Sequence, residues 1–366
     1  MLKRFEVQGY RNFGHTVVLD LSDTRDYQFN RSALTEDTPP LVKCGLVYGK
    51  NAVGKTNLGR ALFDIKSNIN AATGYPSRTD SYLNATVGAP VAVFRYWFRF
   101  NENEVLYEYE KTDLKKFARE SMTVNGSLVY EYDYEEKRME EENLDAIGAK
   151  SLNWEFFKGE MSVLNYVCNN TPIASLGPVG SLYAYVKNMA FIGDQLMCDR
   201  GFVNQLAARV IDAHKVEELE AFLHRFGIEE HLRVMTTPSG EPVLYFDYPK
   251  PIPFAENCSN GTISLLRLFH FNMVIGEQSL VFVDEFDAFY HHELAERVIE
   301  YFRKELRCQT IAASHNTDLF SNKTLRPDCL FILSSDRLIS AANATRRELR
   351  EGHNLEKLYK AGEFGG

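Results

Sequence analysis

The stretch GLVYGKNAVGKTNL, residues 45–58, decides which fold this chain adopts. Its centre, GKNAVGKT, fits the pattern of a glycine, four variable residues, and then Gly-Lys-Ser/Thr. The apolar run from Cys44 to Tyr48 predicts a buried parallel strand before the glycines. After Thr56, apolar residues at helical spacing predict a helix; they are Leu58, Ala61, Leu62, Ile65 and Ile69. The glycines therefore lie between a strand and a helix, which is the context that a phosphate-binding loop requires.

Each part of this loop suits a bound phosphate chain. Gly49 and Gly54 permit backbone angles that bulkier residues resist, so several N–H groups can turn toward one anion. Lys55 would reach the β- and γ-phosphates, and the Thr56 hydroxyl would ligate Mg²⁺. An ordinary glycine turn is the alternative, but a chance match has odds of roughly one in a hundred in a chain this long. We therefore predict a nucleotide site, formed by Gly49, Lys50, Asn51, Ala52, Val53, Gly54, Lys55, Thr56 and Asn57.

Length and composition favour a globular protein and argue against several other classes. The 366 residues are 45 % hydrophobic and 25 % charged, which is ordinary for a chain with an ample core. We find neither an apolar run of about 18 residues nor a signal peptide, so we expect a cytoplasmic protein without a membrane partner. The net charge of −9 gives no global attraction to nucleic acid, although local basic patches could still bind it. The cysteines, at positions 44, 168, 198, 258, 308 and 329, form no CxxC pair, which favours reduced thiols.

The rest of the chain is predicted from apolar periodicity. Residues 1–22 indicate two strands around a turn, and the alternation in VAVFRYWFRF (91–100) predicts a half-buried strand after turn-rich residues 70–89. The Arg/Trp face of that strand could contact nucleic acid, but β-strands select these residues in any case. β-rich sequence continues to Tyr134, and the acidic run EEKRMEEENLD (135–145) is expected in a solvated loop or on a helix face. Further elements are predicted at 199–232 (two short helices), 243–248 (strand), 262–275 (helix), 279–283 (strand) and 308–316 (strand).

Two of these later strands end in residues that could bind a metal ion or take part in catalysis. LVFVDEFD (280–287) is a buried strand that delivers Asp284 to its carboxyl end, where an aspartate can hold Mg²⁺ beside a phosphate-binding loop. Glu285 follows and suits a base for the attacking water. Exposed acids at a strand end are common, but beside this loop that interpretation is the weaker one. CQTIAASHN (308–316) ends with His315 at the same edge; a lone histidine is usually structural, yet here it is a candidate for sensing the γ-phosphate.

A third segment, Ser259-Asn-Gly261-Thr262, opens the predicted helix at 262–275. Its hydroxyl and N–H groups could bind an anion by the chemistry of helix N-termini. Alone, this segment indicates no more than a helix cap. Its position in the chain makes it a more specific signal: it follows the phosphate-binding loop and precedes the Asp-Glu strand and the histidine strand.

That ordered set resembles the ABC-type ATPases of the SMC/RecF/OLD lineage. Asn51 and Asn57 stand in the loop as in that lineage, SNGT looks like the variant signature motif of its stand-alone members, and DEFDAFYH is similar to their Walker B and D-loop. SHNTDLF resembles their switch histidine, YRNFGH their opening aromatic-arginine turn, and EKLYKAGEFGG their terminal segment. The resemblance covers residues 1–70 and 240–366, whereas the middle matches only in layout.

The resemblance implies an α/β fold, an ABC-type P-loop head with a mixed sheet. A β-rich N-terminal lobe (1–134), an inserted helical or linker subdomain (135–240) and a C-terminal lobe (241–366) are the expected parts. It implies ATP and Mg²⁺ at Lys55, Thr56 and Asp284, with Glu285 as catalytic base and His315 at the γ-phosphate. Ser259 and Gly261 would bind the γ-phosphate of the opposite subunit, so ATP would be sandwiched in a homodimer or higher homo-oligomer. We find no clear glutamine for the Q-loop, and that contact is unassigned.

Two functions compete on this basis. The first is an ATPase that serves as sensor or scaffold in a bacterial anti-phage system, with a phage protein as trigger and a nuclease, for example of the TOPRIM kind, encoded nearby as effector. OLD proteins carry a TOPRIM nuclease after the ATPase, but residues 316–366 offer no separate set of acids for two metals; Asp328 and Asp336 are ordinary strand and loop residues.

The second function is DNA repair of the RecF type. Arg346, Arg347 and Arg350 are predicted to form a basic helix turn that could contact DNA phosphates, although a solvated face is the simpler interpretation. A transporter subunit is a weaker third option, because the insert is long and the opening is RecF-like.

Overall fold

The computed structural model describes residues 1–69, 81–149, 152–193, 200–274 and 278–365. The chain forms two compact units: the first contains residues 1–192, 278–284 and 302–366, and the second contains residues 193–277 and 285–301. Residues 70–80 of the predicted turn-rich piece, Ile275 of a predicted helix, and Cys198 lie outside the described residues. All five described cysteines are free thiols.

The first unit contains an antiparallel sheet of seven strands in the order β2-β1-β4-β5-β6-β7-β8. Phe94, Tyr96 and Phe98 are buried on one face of β4, as the alternation predicted. On the other face, Arg95 Nε donates to Glu108 Oε2 at 2.8 Å, so this arginine is ion-paired within the sheet. The strands are β1 (Leu2–Gln8), β2 (Val17–Asp20), β4 (Ala92–Phe100), β5 (Asn103–Asp113), β6 (Lys116–Val124), β7 (Ser127–Asp133) and β8 (Arg138–Glu142).

A second sheet of the first unit is mixed and has six strands in the order β16-β15-β3-β14-β13-β9. All neighbours are parallel except β15 and β16, and β3, β13 and β14 are buried along their whole length. Continuous apolar runs are typical of strands covered on both faces. The strands are β3 (Cys44–Tyr48), β9 (Met189–Ile192), β13 (Leu280–Val283), β14 (Gln309–Ser314), β15 (Leu330–Leu333) and β16 (Leu338–Ser340). The mixed sheet confirms the predicted α/β fold.

Among the described residues, the first unit has four α-helices between the P-loop strand and residue 188 and one near residue 358. They are α1 (Lys55–Leu62), α2 (Ile65–Ile69), α3 (Val163–Asn170), α4 (Gly177–Lys187) and α10 (Leu355–Lys360). α9 (His292–Lys304) precedes β14 in the chain.

The second unit combines helices with a small antiparallel sheet of three strands, β10-β11-β12. Leu219, Phe222 and Leu223 form the buried stripe of α6, and the Phe222 ring lies 5.4 Å from that of Phe269 on α8. The elements are α5 (Arg200–Asp212), α6 (Val216–Arg225), β10 (Leu232–Thr236), β11 (Pro242–Phe246), β12 (Ile252–Pro253), α7 (Phe254–Asn257) and α8 (Asn260–Val274). The two short helices predicted at 199–232 are confirmed by α5 and α6.

Three local predictions were wrong. The acidic run at 135–145 contains β8, because pairing with β7 at the sheet edge satisfies its backbone. The single helix predicted after the P-loop is two helices, separated at Phe63 and Asp64. The segment from Arg346 to Arg350 is irregular and not a helix turn.

The break between α1 and α2 coincides with a buried ion pair. The Asp64 carboxylate accepts hydrogen bonds from the Lys111 ammonium at 2.6 Å, the Tyr109 hydroxyl at 3.0 Å and the Tyr82 hydroxyl at 2.9 Å. The side chains of Lys111 and Asp64 are only 1 % and 3 % exposed. This pair therefore attaches the end of the P-loop helix to the seven-stranded sheet.

Gln309, at the start of β14, joins the two sheets of the first unit through a fully buried amide. Its Oε1 accepts from the Leu2 backbone N–H at 3.0 Å and from the Tyr185 hydroxyl at 2.6 Å. Its Nε2 donates to the carbonyls of Leu2 at 2.8 Å and Val42 at 3.0 Å. The amide oxygen therefore accepts two hydrogen bonds and the amide nitrogen donates two, as a buried polar group requires.

Among the described helices, none combines the length and apolar character that a bilayer span needs.

Candidate nucleotide-binding site

The loop between β3 and α1 is folded tightly around Lys55. Lys55 is 6 % exposed, and its ammonium donates to the carbonyls of Gly49 at 2.8 Å and Lys50 at 3.1 Å. Gly54 has φ 106°, a conformation that L side chains rarely adopt, and Ala52 also has a positive φ of 65°. The lysine with which the loop is predicted to contact phosphates is therefore held inside the loop, next to the backbone N–H groups of the α1 N-terminus.

Asn12, from the turn between β1 and β2, packs directly on this loop. Its Nδ2 donates to the Val53 carbonyl at 3.0 Å, and its Oδ1 accepts from Asn57 Nδ2 at 2.7 Å. A Cβ built at Gly54 would lie 2.3 Å from Asn12 Nδ2 and would displace that side chain from the loop, and the φ of 106° itself favours glycine there. The sequence pattern of this turn indicates no role for Asn12. The structure adds it as a residue that positions the loop.

The sheet register brings three sequence-predicted segments to one edge. Tyr48 of β3 pairs with Ser314 of β14, and the Gly49 N–H donates to the Ser314 carbonyl at 3.3 Å. Val283 of β13 pairs with Ala312 of β14. The P-loop, His315 and Asp284 thus follow the carboxyl ends of three adjacent parallel strands, which is where ligands bind in open α/β sheets. His315 is exposed and Asp284 is 7 % exposed.

α1 approaches β13 closely at a small residue. A Cβ at Gly59 would lie 2.5 Å from Phe282 Cε1 and 2.7 Å from Phe191 Cε2, distances that force a shift. Gly59 therefore sets how near the P-loop helix lies to the strand that carries Asp284. The sequence alone does not predict this close packing, because an isolated glycine inside a helical pattern has several explanations.

Glu285 stands in an unusual backbone conformation. Its φ is 46°, which a residue with a side chain adopts only at a cost of about 1–3 kcal/mol. The Ala288 N–H donates to the Glu285 carbonyl at 3.0 Å, so the strained residue begins a turn directly after Asp284. Such outliers persist where surrounding structure holds them, and they cluster at active sites.

The predicted residues are divided between the two units. Lys55, Thr56, Asp284 and His315 belong to the first unit, whereas Glu285, Ser259 and Gly261 belong to the second.

Ser259 caps helix α8, since its Oγ accepts from the Thr262 N–H at 3.1 Å. Together with Gly261 it lines an open groove of about 540 Å³ within the second unit, opposite Phe289, His291 and Arg297. Phe289 is 39 % exposed. The helix cap predicted from the sequence is confirmed.

The donor set fits a magnesium nucleotide. The Thr56 hydroxyl stands at the second residue of α1, and the Asp284 carboxylate follows β13; both supply the oxygen ligands that Mg²⁺ prefers. The loop N–H groups and Lys55 supply the positive field that phosphates need.

Comparisons with known proteins concern one segment of the sequence and the fold. The family described as "AAA domain, putative AbiEii toxin, Type IV TA system" matches residues 197–321, about a third of the chain. No curated protein matches the sequence significantly. The crystal structure of the SmcHead bound to the C-winged helix domain of ScpA is similar over 93 % of this chain and 97 % of that chain, with a TM-score of 0.50 and 13 % identity. The chain therefore has the fold of an SMC head domain.

Two further SMC heads are similar to this chain. The SMC head domain from Thermotoga maritima has a TM-score of 0.45 and 15 % identity, covering 93 % of this chain and 98 % of that one. The Smc head domain with an extended coiled coil, bound to the C-terminal domain of ScpA and derived from Pyrococcus furiosus, has a TM-score of 0.46 and 13 % identity, covering 98 % of both chains.

The match to the AAA family, at residues 197–321, contains Ser259, Asp284, Glu285 and His315, but it does not include the P-loop.

Proposed function

We propose that this chain binds ATP with Mg²⁺ and hydrolyses it. The observation that carries the proposal is the shared sheet edge, where the P-loop, Asp284 and His315 follow three adjacent parallel strands. A motif match alone is a hypothesis, and this strand–loop–helix context, with an acid after β13, two strands away from β3 in the same sheet, is the support it requires.

In the proposed mechanism, Lys55 and the loop N–H groups hold the phosphates. Thr56 and Asp284 would hold Mg²⁺, whose positive charge would offset the negative charge of the phosphates. Glu285 orients and deprotonates the attacking water, and His315 contacts the γ-phosphate. Ser259 and Gly261 act on the nucleotide of a second copy, so the working form is a homodimer or higher homo-oligomer with ATP between the heads.

The biological role that we propose is a sensor or scaffold subunit of a bacterial anti-phage system in the cytoplasm. A phage protein would be the trigger, and a separate effector, such as a nuclease of the TOPRIM kind encoded nearby, would carry the toxic activity. The family description, which names a toxin of a type IV toxin–antitoxin system, supports this direction. So does the resemblance of the motifs to stand-alone defence ATPases.

DNA repair of the RecF type is the second candidate, favoured by the exposure of Arg346, Arg347 and Arg350. Two of these arginines face acids: Arg347 Nε lies 3.6 Å from Glu363 Oε1, and Arg350 Nη2 lies 3.0 Å from Glu348 Oε2. The acids reduce the local positive charge, so we rank this role second. Salt-dependent binding of duplex DNA, weakened by charge reversal at Arg346, would reverse the ranking.

Mixing two inactive variants tests the composite site. Lys55→Ala removes the phosphate contact, whereas Ser259→Arg places a bulky cation in the groove of the second unit and leaves the P-loop intact. Each variant alone should lack ATPase activity, and Ser259→Arg should still bind ATP. A mixture should recover part of the activity, because a hybrid dimer retains one intact P-loop facing one intact Ser259. Full activity of monomeric Ser259→Arg would refute the composite site.

A further inference from the structure

Two histidines and a glutamate form a compact cluster in the second unit. Glu220 and His224 are four residues apart on α6, so they lie on the same helix face. His231 precedes β10 and comes from beyond the turn that ends α6. One ligand atom from each of the three side chains lies within 4.8 Å of the others. The rings of His224 and His231 have centroids 5.5 Å apart.

The backbone fixes this juxtaposition. After α6, Gly227 adopts φ 83°, and the N–H groups of Gly227 and Ile228 donate to the carbonyls of His224 at 2.9 Å and Leu223 at 3.1 Å. A left-handed glycine with such bonds reverses the chain at a helix end. The His231 carbonyl then accepts from the Asp247 N–H at 2.8 Å. The hydrogen-bonded turn therefore places His231 beside α6.

The side chains are already oriented toward one another. His231 Nδ1 lies 3.0 Å from Glu220 Oε1, and the other Glu220 oxygen accepts from the Leu232 N–H at 2.6 Å. His224 Nε2 lies 3.2 Å from the Glu230 carbonyl, a contact of the kind that orients metal-binding imidazoles. The hydrogen bond with Glu220 and its negative charge raise the pKa of His231. The His231 and Glu220 side chains are 70 % and 25 % exposed, so the cluster is accessible from solvent.

We propose that Glu220, His224 and His231 bind one divalent transition-metal ion of the zinc class, with the remaining position open to water. Two imidazoles and a carboxylate are a ligand set that zinc accepts, whereas Mg²⁺ and Ca²⁺ prefer oxygen alone. Bonds of about 2.0–2.2 Å to one ion require these ligand atoms to approach one another from separations of up to 4.8 Å. The ion would join α6 to the first strand of the three-stranded sheet. This site is independent of the proposed ATPase activity.

A hydrogen-bonded pair without metal affinity is the competing explanation, and zinc titration separates the two. The purified full chain is titrated with Zn²⁺ alone against a chromophoric chelator, and the variants are His231→Ala and Glu220→Gln. The matched control is His292→Ala: His292 Nε2 lies 3.4 Å from Glu296 Oε1, the same four-residue spacing on a helix but outside the cluster. Wild type and His292→Ala should bind one more zinc ion per chain than His231→Ala, whose affinity at this site should fall about tenfold or more.

Two further measurements keep the result specific. Cobalt(II) bound at this site should show only nitrogen and oxygen ligation, without the intense near-ultraviolet band of thiolate ligands, which separates it from metal held by cysteines. Zinc should also slow hydrogen exchange at residues 232–236 in wild type and His292→Ala, but not in His231→Ala. Identical zinc isotherms for wild type, Glu220→Gln and His231→Ala would overturn the proposal. Because His231 is largely exposed, that variant remains informative if Glu220→Gln fails to fold.

Discussion

Replacing Gln309 with methionine removes the amide that joins the two sheets of the first unit. The volumes are similar, so the change deletes four hydrogen bonds to Leu2, Val42 and Tyr185 without opening a large cavity. At about 1 kcal/mol for each lost hydrogen bond, the free energy of unfolding should fall by about 4 kcal/mol. At roughly 2–4 °C for each kcal/mol, the Tm should fall by about 10 °C.

Tryptophan fluorescence during urea unfolding provides the assay. Both tryptophans, Trp97 and Trp154, belong to the first unit, so the signal follows the unit that contains Gln309. Gln8→Met is the matched control, because Gln8 is an exposed glutamine of β1. Gln309 lies at the amino end of β14, away from His315, so ATP affinity should be unchanged below the transition. A Gln309→Met protein within about 1 kcal/mol of the control would refute the reasoning, because the four hydrogen bonds would then contribute little.

Three further substitutions address the nucleotide site. Lys55→Ala should abolish ATP binding in calorimetry, because the ammonium that the loop encloses is lost; undiminished affinity would exclude the P-loop assignment. Glu285→Gln should retain ATP binding but slow hydrolysis by about 10²-fold, as expected when a positioned base is lost, and turnover within a few-fold of wild type would remove Glu285 from that role. Gly59→Ala should weaken ATP binding by about tenfold, since α1 must move away from Phe282 and small displacements near a site are costly. Gly352→Ala is its control because a Cβ there meets no atom within 4 Å, and equal ATP affinity of these two variants would contradict the packing argument.

The sequence predicted the parts of the site that local patterns determine. β3 and β13 are continuous apolar runs and β14 has an apolar centre, and each strand is followed directly by the residues of interest: the P-loop, Asp284 and His315. Because parallel strands share one carboxyl edge, identifying the strands also predicted which side chains would share that edge.

Contacts between distant segments were not predictable in this way. Asn12 reaches Val53 across 41 positions, and nothing in its own turn indicates that contact. β8 lies in an acidic run that resembles solvated loop, and it is a strand only because β7 offers an unpaired edge. β9 was missed too: MAFI is four residues long, and its place beside β13 depends on a strand about 90 positions later.

The contact between Gln309 and the start of the chain also sets an order of events during synthesis. Gln309 bonds Val42 across 267 positions, and β3 gains its sheet neighbours β14 and β15 only from the last part of the chain. At about 5–20 residues per second, the ribosome needs about 10–50 s to make that intervening length. Throughout this interval the apolar P-loop strand has no partner in its sheet. The nascent chain therefore exposes an apolar, aggregation-prone segment during this interval, and the step that closes the sheet also assembles the proposed nucleotide site.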